Sequence, residues 1–545
     1  MSGTGKGTSQ REELHMADGQ GWSFLGPAWG DHPDGGFGPP DGTEVEYVAA
    51  REDEAYADFE ATFRFRLRHI TPVRFLFRVQ DSRRFYALDI PFGGQQFRGR
   101  ACWAGMVIAD GAPLQRYLNF QLVPGLCAAL GQWYDVRVRA TGSRLQGWIN
   151  DVPVADVEDD TYQSGRIGLG ALLTPYTEAP RFDRVCVEGE AQPAPSWPGL
   201  VAPADHWITP CPEPEPGSYQ SYASLIKSNS GDVTLYLTFG NPNAVERRRA
   251  AFIRSSDGGR TWAPQEPATL EQGFGGPFVR RDGTWVCLHT EPDQGPDAGD
   301  VPVVAYESAD EGRTWAGPTP LQIDGGWPAE WTAGGPWRVV RLRDGALVAP
   351  VMVTAADEPK APTQCPYWAA LALRSEDDGH TWSAPVLCDA DTKTAPEPPE
   401  MLRYAARYYE VALDEAEPGV LVGIGRPDRD PYMWQLRSPD GGRTWEPAAV
   451  GHFPGFCPSL TRTASGALVA TTRYPHFAAY LSRDHGRTWE PPVIVDYAIW
   501  ANQQAVEIEP DVVLITYMGH IIEPGQADSR IARLKVTDDG LVLDH

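Results

Sequence analysis

The sequence predicts an all-β protein in which an antiparallel β-sandwich of the jelly-roll kind precedes a six-bladed β-propeller. Three observations carry this. An octapeptide recurs five times in the later part of the chain. Between its copies runs a second repeat, an apolar hairpin present six times. The earlier part lacks the octapeptide and alternates apolar with polar residues at a period of two, the mark of half-buried strands.

The octapeptide is Ser-x-Asp-x-Gly-x-Thr-Trp: SSDGGRTW at 255–262, SADEGRTW at 308–315, SEDDGHTW at 375–382, SPDGGRTW at 438–445 and SRDHGRTW at 482–489. Its aspartates lie 53, 67, 63 and 44 residues apart, the range expected of four-stranded propeller blades with variable loops. The pattern makes sense as a hairpin. Asp-x-Gly supplies an Asx-type turn and a residue free to take positive φ, while the Ser and Thr hydroxyls bond the turn backbone. The Trp is expected to return between neighbouring blades.

The second repeat sets the blade count. Its copies are SLIKSNSGDVTLYLTFG (224–240), PFVRRDGTWVCLHT (277–290), WRVVRLRDGALVAPVMV (337–353), YYEVALDEAEPGVLVGIGR (408–426), SLTRTASGALVATTRY (459–474) and AVEIEPDVVLITYMGH (505–520). Six inner hairpins predict six blades. The last is expected to end in RIARLKVTDDGLV (530–542), where Thr537-Asp538-Asp539-Gly540 reads as a decayed sixth octapeptide, with an outer strand supplied from near His206–Thr209 to close the ring.

Residues 1–20 are polar and read as disordered. The sandwich is assigned to 21–190 from runs such as DFEATFRFRLRHI (58–70), VRFLFRVQD (73–81) and WYDVRVRAT (133–141). The Pro- and Ala-rich segment 191–205 reads as a linker, and 206–545 as the propeller.

Composition narrows the function. Formal net charge is −26, from 73 acidic and 47 basic residues, which disfavours nucleic acid and anionic membranes as partners. The 19 Trp and 20 Tyr suit sugar stacking as well as sheet building. Eight cysteines form no CxxC pair and no disulfide framework, so buried free thiols are expected. No cofactor or metal is required by any motif, although the acidic loops DEAEP (414–418) and 291–300 have oxygen ligands of the type calcium takes. The start has no signal-peptide pattern, so the chain reads as cytoplasmic. A secreted form from which such a peptide had been removed would read the same.

The five octapeptides are Asp boxes, and from about residue 200 onward the chain resembles the sialidase (neuraminidase) superfamily of Asp-box, or BNR-repeat, propellers. The run from Trp133 to Ala171 similarly resembles concanavalin A-like and laminin-G-like jelly rolls. The first resemblance implies that the boxes join the third and fourth strands of each blade, away from the active site, and are structural. It places the ligand site at the central mouth, where inner strands begin and end. Strands entering the mouth end near Asn241, His289 with Glu291, Met352, Arg426, Arg473 with His476, and His520. Strands leaving it start near Gln220–Tyr222, Phe274, Glu330–Trp331, Tyr408–Glu410, Cys457 and Asn502–Gln503.

The family's catalytic set is only partly matched. It uses three arginines on the sugar carboxylate, a tyrosine nucleophile activated by a glutamate, and an aspartate as acid/base. The first arginine is missing from Gln220-Ser221-Tyr222-Ala223, the aspartate falls on Asn243 with Glu246 nearby, and the tyrosine falls on Asn502. Glu410 and Arg426 have the family spacing, with Glu400 a competitor for the glutamate, and Arg473 stands for the third arginine. An asparagine neither donates an acidic proton nor forms an aryl-ester intermediate, so retaining sialidase chemistry is not expected.

Three functions stay open. A glycoside hydrolase with a different catalytic set would draw on Glu410, Glu330, Glu291, His289 and His520, with Arg426, Arg473, Tyr408, Asn502, Gln503, Trp331 and His476 binding the glycan. A lyase on uronic-acid glycans would use His289, His520, Tyr408 and Arg426. A non-catalytic glycan-binding protein would need none of these as acids or bases, and its sandwich would supply a second binding face or a homo-oligomer contact.

Overall fold

The computed structural model describes residues 10–14, 20–41, 46–69, 71–91, 101–127, 129–172, 178–201, 220–239, 249–264, 266–267, 275–290, 303–329, 331–336, 338–355, 368–389, 408–427, 432–473, 476–497, 504–523 and 526–544. Among these every regular element is a β-strand. The chain divides into two units, one of residues 1–206 with 491–497, the other of 207–490 with 498–545.

The first unit contains two antiparallel sheets. One runs Val152–Glu158, Arg144–Ile149, Trp133–Thr141, Glu54–Arg66, Arg181–Pro193 and then Phe37–Gly38. The other runs Trp22–Leu25, Glu46–Arg51, Arg166–Leu172, Val73–Asp81, Arg84–Ile90, Ala101–Asp110 and Gln115–Cys127. The alternation in the sequence decides which face is buried. Phe59, Phe63 and Phe65 from the first sheet and Phe75, Phe77 and Leu88 from the second share one core. Their intervening neighbours Glu60, Arg64 and Arg66 face outward and form ion pairs.

Two expectations change here. Gln10–Leu14, read as part of a disordered start, is a strand paired with Val185–Gly189. A polar strand lacks apolar alternation, and backbone pairing to an edge leaves no trace in composition. Nor is 191–205 a bare connector. Ala191–Pro193 continue a strand, the Arg166 guanidinium stacks on Trp197 at 4.1 Å, and the Leu200 amide donates to Ser23 Oγ at 2.9 Å.

The second unit is a β-propeller arrangement of antiparallel sheets that touch in chain order, the last returning to the first. That return is stitched by the Leu225 amide, which donates to Gln504 Oε1 at 2.8 Å. Complete blades number five rather than six: 220–267, 277–320, 331–387, 408–450 and 504–543. The hairpin Phe456–Arg462 with Leu468–Arg473 has a third strand, Phe477–Ser482, but the next strand in the chain, Val493–Asp496, belongs to the first unit. There it pairs with Gln115–Arg116. The outer strand expected from near His206–Thr209 lies outside the described residues. Gly540–Leu543, at the chain's own end, supplies the fourth strand of the last blade.

Each Asp box begins at the serine that ends the third strand of its sheet, and all five share one hydrogen-bond pattern. In the first, Ser255 Oγ accepts from the Gly259 amide at 2.7 Å and donates to Asp257 Oδ1 at 2.8 Å. The Thr261 amide donates to the same oxygen at 2.9 Å. Both residues after the Asp are left-handed, here Gly258 at φ +70° and Gly259 at φ +84°. The second must be glycine, since a Cβ on Gly259 would meet Leu514 at 2.7 Å. The tryptophans lie between neighbours as expected: Trp382 shares a core with Phe278 and Val286 of the preceding blade, and Trp315 packs against Tyr236 and Phe252. Burying one such ring contributes about 1.5–3 kcal/mol.

Candidate functional site

The site is built from a backbone irregularity repeated on adjacent sheets. Where the strand Tyr408–Glu417 begins, Glu410 and Val411 together oppose one residue of Val420–Pro427, a β-bulge. Where Phe456–Arg462 begins, Cys457 and Pro458 do the same against Leu468–Arg473. Glu410 and Cys457 occupy the same place in the two bulges, with φ of +50° and +46°. Such a conformation costs a non-glycine residue of order 1–3 kcal/mol and re-aims its side chain out of the strand's alternation. The residue opposite the start of each bulge is an arginine, Arg426 facing Tyr409 and Arg473 facing Phe456. A third such bulge begins the first blade, with Tyr222 in the position of Glu410.

These four side chains converge. Arg426 Nη1 donates to Glu410 Oε2 at 2.8 Å, and the same nitrogen lies 3.7 Å from Cys457 Sγ. The Arg426 guanidinium also stacks over the Phe456 ring at 4.4 Å. Glu410 and Arg426 are both largely withdrawn from solvent, at 14% and 7% side-chain exposure, so their attraction acts in a low dielectric. Burial pushes the Cys457 thiol up to about 12. Arg473 and Arg426 pull the other way and Glu410 adds to the rise, so all three charges act on this one sulfur.

Of the other expected residues, His289, half-buried near the end of Trp285–Thr290, has Nδ1 2.7 Å from the Thr290 carbonyl oxygen, which fixes the ring against its own strand. Trp331 begins the strand Trp331–Pro336, and its carbonyl accepts the Trp327 indole N–H at 2.7 Å. His476 is buried beside Phe477–Ser482. Tyr408 opens its strand opposite Pro427, and His520 lies in Val512–Glu523 within the register shift between Met518 and Ile521. Glu330, Glu291, Asn502, Gln503, Glu400, Asn241 and Asn243 lie outside the described residues. No described contact joins His289 or Trp331 to the Glu410 cluster.

The acidic turn DEAEP is not an open ligand loop. Asp414 accepts the Arg462 amide at 2.8 Å, and Glu415 accepts the amides of Arg343 and Gly419 at 2.8 Å each. These carboxylates staple adjacent hairpins. The calcium-loop candidate 291–300 lies outside the described residues. Cys102, Cys186, Cys287, Cys388 and Cys457 are buried free thiols.

Sequence reasoning paired Glu410 with Arg426 and named Arg473 and Cys457 separately, but missed the grouping of all four and the part of Phe456. The signal was present: aligning YYE…R (408–426) with FC…R (456–473) puts Glu410 over Cys457 and Arg426 over Arg473.

Residues 275–456 match the BNR repeat-like domain, and residues 16–172 match the 3-keto-alpha-glucoside-1,2-lyase-like domain. The BNR repeat-like match thus falls in the second unit and the 3-keto-alpha-glucoside-1,2-lyase-like match in the first. Similar solved structures include the Hadza microbial sialidase Hz136, at 17% identity and a TM-score of 0.46 over 90% of this chain and 96% of that one. A protein of unknown function from Dyadobacter fermentans gives 19% identity and a TM-score of 0.46 over 59% and 96%. An alpha-L-arabinanase from Penicillium chrysogenum gives 13% and 0.40 over 58% and 93%. No curated protein shows a significant sequence match.

Proposed function

We propose that this protein is a glycoside hydrolase that cleaves a glycan at the propeller mouth with a catalytic set different from that of the sialidases. The observation that carries the reading is the Glu410–Arg426 pair, held beside Arg473 by two matched bulges. A glycosidase needs one carboxylate to stabilise the oxocarbenium-like centre or activate water, and a second group to protonate the leaving oxygen. Glu410, oriented by a charge-assisted hydrogen bond, suits the first role. Glu330 and His289 are the candidates for the second, His289 lying on the blade 277–320. Arg426 and Arg473 present forked donors that suit paired hydroxyls or a carboxylate on the sugar. Net charge of −26 sets nucleic acid and anionic membranes aside as partners.

The test is a screen of purified protein against aryl glycosides and neutral and acidic oligosaccharides, following released aglycone and the absorbance of unsaturated product. Glu410→Gln and Arg426→Ala are run beside the wild type. Hydrolysis abolished by Glu410→Gln supports the reading. Unsaturated product would transfer the assignment to an eliminative reaction with Arg426 neutralising a uronate, and no turnover on the whole panel would leave a glycan-binding protein.

A further inference from the structure

The first unit carries a groove of about 450 Å³ on the outer face of the sheet that contains Glu54–Arg66, within the size range of small-ligand sites. Cross-strand register explains why it is there. One row of outward positions reads Trp148, Arg137, Thr62, Cys186 and Glu13 across five strands. The two middle members are short, and their neighbours on either side are long. A depression results. With strands about 4.8 Å apart, the distance from Arg137 to Glu13 across the row is about 14 Å.

The walls come from the adjoining row and turns. Asp135 faces Arg64 across the strand pair, and Asp151 stands at the tip of the 149–152 hairpin with φ +63°. Arg184, at φ +51°, sits in a register shift of Arg181–Pro193 that turns it aside from the regular alternation. The cations are held in place: Arg137 stacks on Trp148 at 4.0 Å, Arg64 stacks on Trp133 at 5.0 Å and is ion-paired to Asp183. The Asp135 and Asp151 carboxylates make no hydrogen bond or ion pair with any described side chain, so their acceptor capacity faces the groove.

We propose that this groove is a second ligand site, separate from the propeller, and that its occupant is an uncharged oligosaccharide. Three guanidinium groups (Arg64, Arg137, Arg184) balance three carboxylates (Glu13, Asp135, Asp151), so neither a polyanion nor a polycation is drawn in. Apolar ligands find little to cover, because the lining is mostly charged or hydroxylated. A sugar hydroxyl both donates and accepts, and neighbouring hydroxyls on one ring can use carboxylate acceptors and guanidinium donors placed side by side. The pinned side chains lose little entropy when the ligand arrives.

The experiment is saturation-transfer NMR and titration calorimetry on the full chain with maltotriose, cellotriose, xylotriose, arabinotriose and galacturonic acid trimer. Two groove variants are compared: Asp135→Asn/Asp151→Asn, which removes acceptor charge, and Thr62→Phe, which fills the floor without touching a charge. Glu410→Gln serves as the propeller control, and each melting temperature is recorded. The expected result is binding of at least one neutral trimer, weakened tenfold or more in both groove variants and unchanged in Glu410→Gln. Absence of neutral-sugar binding, preference for the uronate, or loss in Glu410→Gln alone would overturn the proposal. Because the propeller control is scored separately, failure here leaves the hydrolase reading to its own test.

Discussion

Replacing Asp89 by asparagine should destabilise the first unit far more than a surface change would. Asp89 and Arg74 are fully buried, with Arg74 Nε donating to Asp89 Oδ1 at 3.0 Å. The Tyr117 hydroxyl donates to the other carboxylate oxygen. Arg74 Nη1 reaches Gln115 Oε1 at 3.1 Å and the Tyr497 hydroxyl at 2.6 Å, a partner 423 residues along the chain. The pair therefore fixes the returning strand, whose Ile494 is buried against Val107, Tyr117 and Phe85. Removing one member of a buried ion pair costs about 3–5 kcal/mol, because the other charge is stranded. With a urea slope of about 1–3 kcal/mol per M, the unfolding midpoint of this unit should fall by roughly 1–5 M. Hydrogen exchange read by mass spectrometry should show the loss in Val73–Asp81, Arg84–Ile90 and 491–497 together. The double variant Arg74→Met/Asp89→Leu should recover most of the loss, since an apolar pair strands no charge. A shift below about 0.3 M for Asp89→Asn, or exchange that leaves 491–497 unaffected, would refute the reasoning.

The same geometry sets further expectations. Gly259→Ala, at φ +84° and with its Cβ against Leu514, should cost about 1–3 kcal/mol in a denaturant titration and should loosen the contact between first and last blades. The Thr314 amide, with the Thr314 and Ser308 hydroxyls next in weight, holds the Asp310 carboxyl down at about 2. A depressed carboxyl stabilises the fold fully above its ordinary value near 4 and loses that contribution as pH falls through about 2. The melting temperature should therefore drop over that window, less steeply in Asp310→Asn, which in turn should melt lower at pH 7. With its thiol pushed up to about 12 by burial, Cys457 should resist iodoacetamide at pH 8 in the native protein and react on unfolding, as tryptic mapping would show.

Much of the propeller is legible because it is written in short-range chemistry. The Asp-x-Gly turn, the Ser and Thr that bond it and the closing Trp all lie within eight residues, so each box reads directly as a hairpin. The site is less legible. Spacing picks out Glu410 and Arg426 as a family-like pair, and they do meet at 2.8 Å. That Cys457 and Arg473 join them depends on two bulges with positive φ at a glutamate and a cysteine, residues with no preference for that conformation. Nothing local announces such a bulge.

By itself the sequence determined the all-β class, the hairpin repeats and the buried faces of the strands, since turn residues and period-two alternation act over a few positions. Only the tertiary structure decided where Val493–Asp496 goes. As a short apolar strand it satisfies its backbone on any open sheet edge, and its partner at Gln115–Arg116, with the Arg74–Asp89 pair waiting for Tyr497, lies nearly four hundred residues away. The same holds for the groove beside Thr62 and Cys186: a row across five strands is set by register, and register is a property of the assembled sheet.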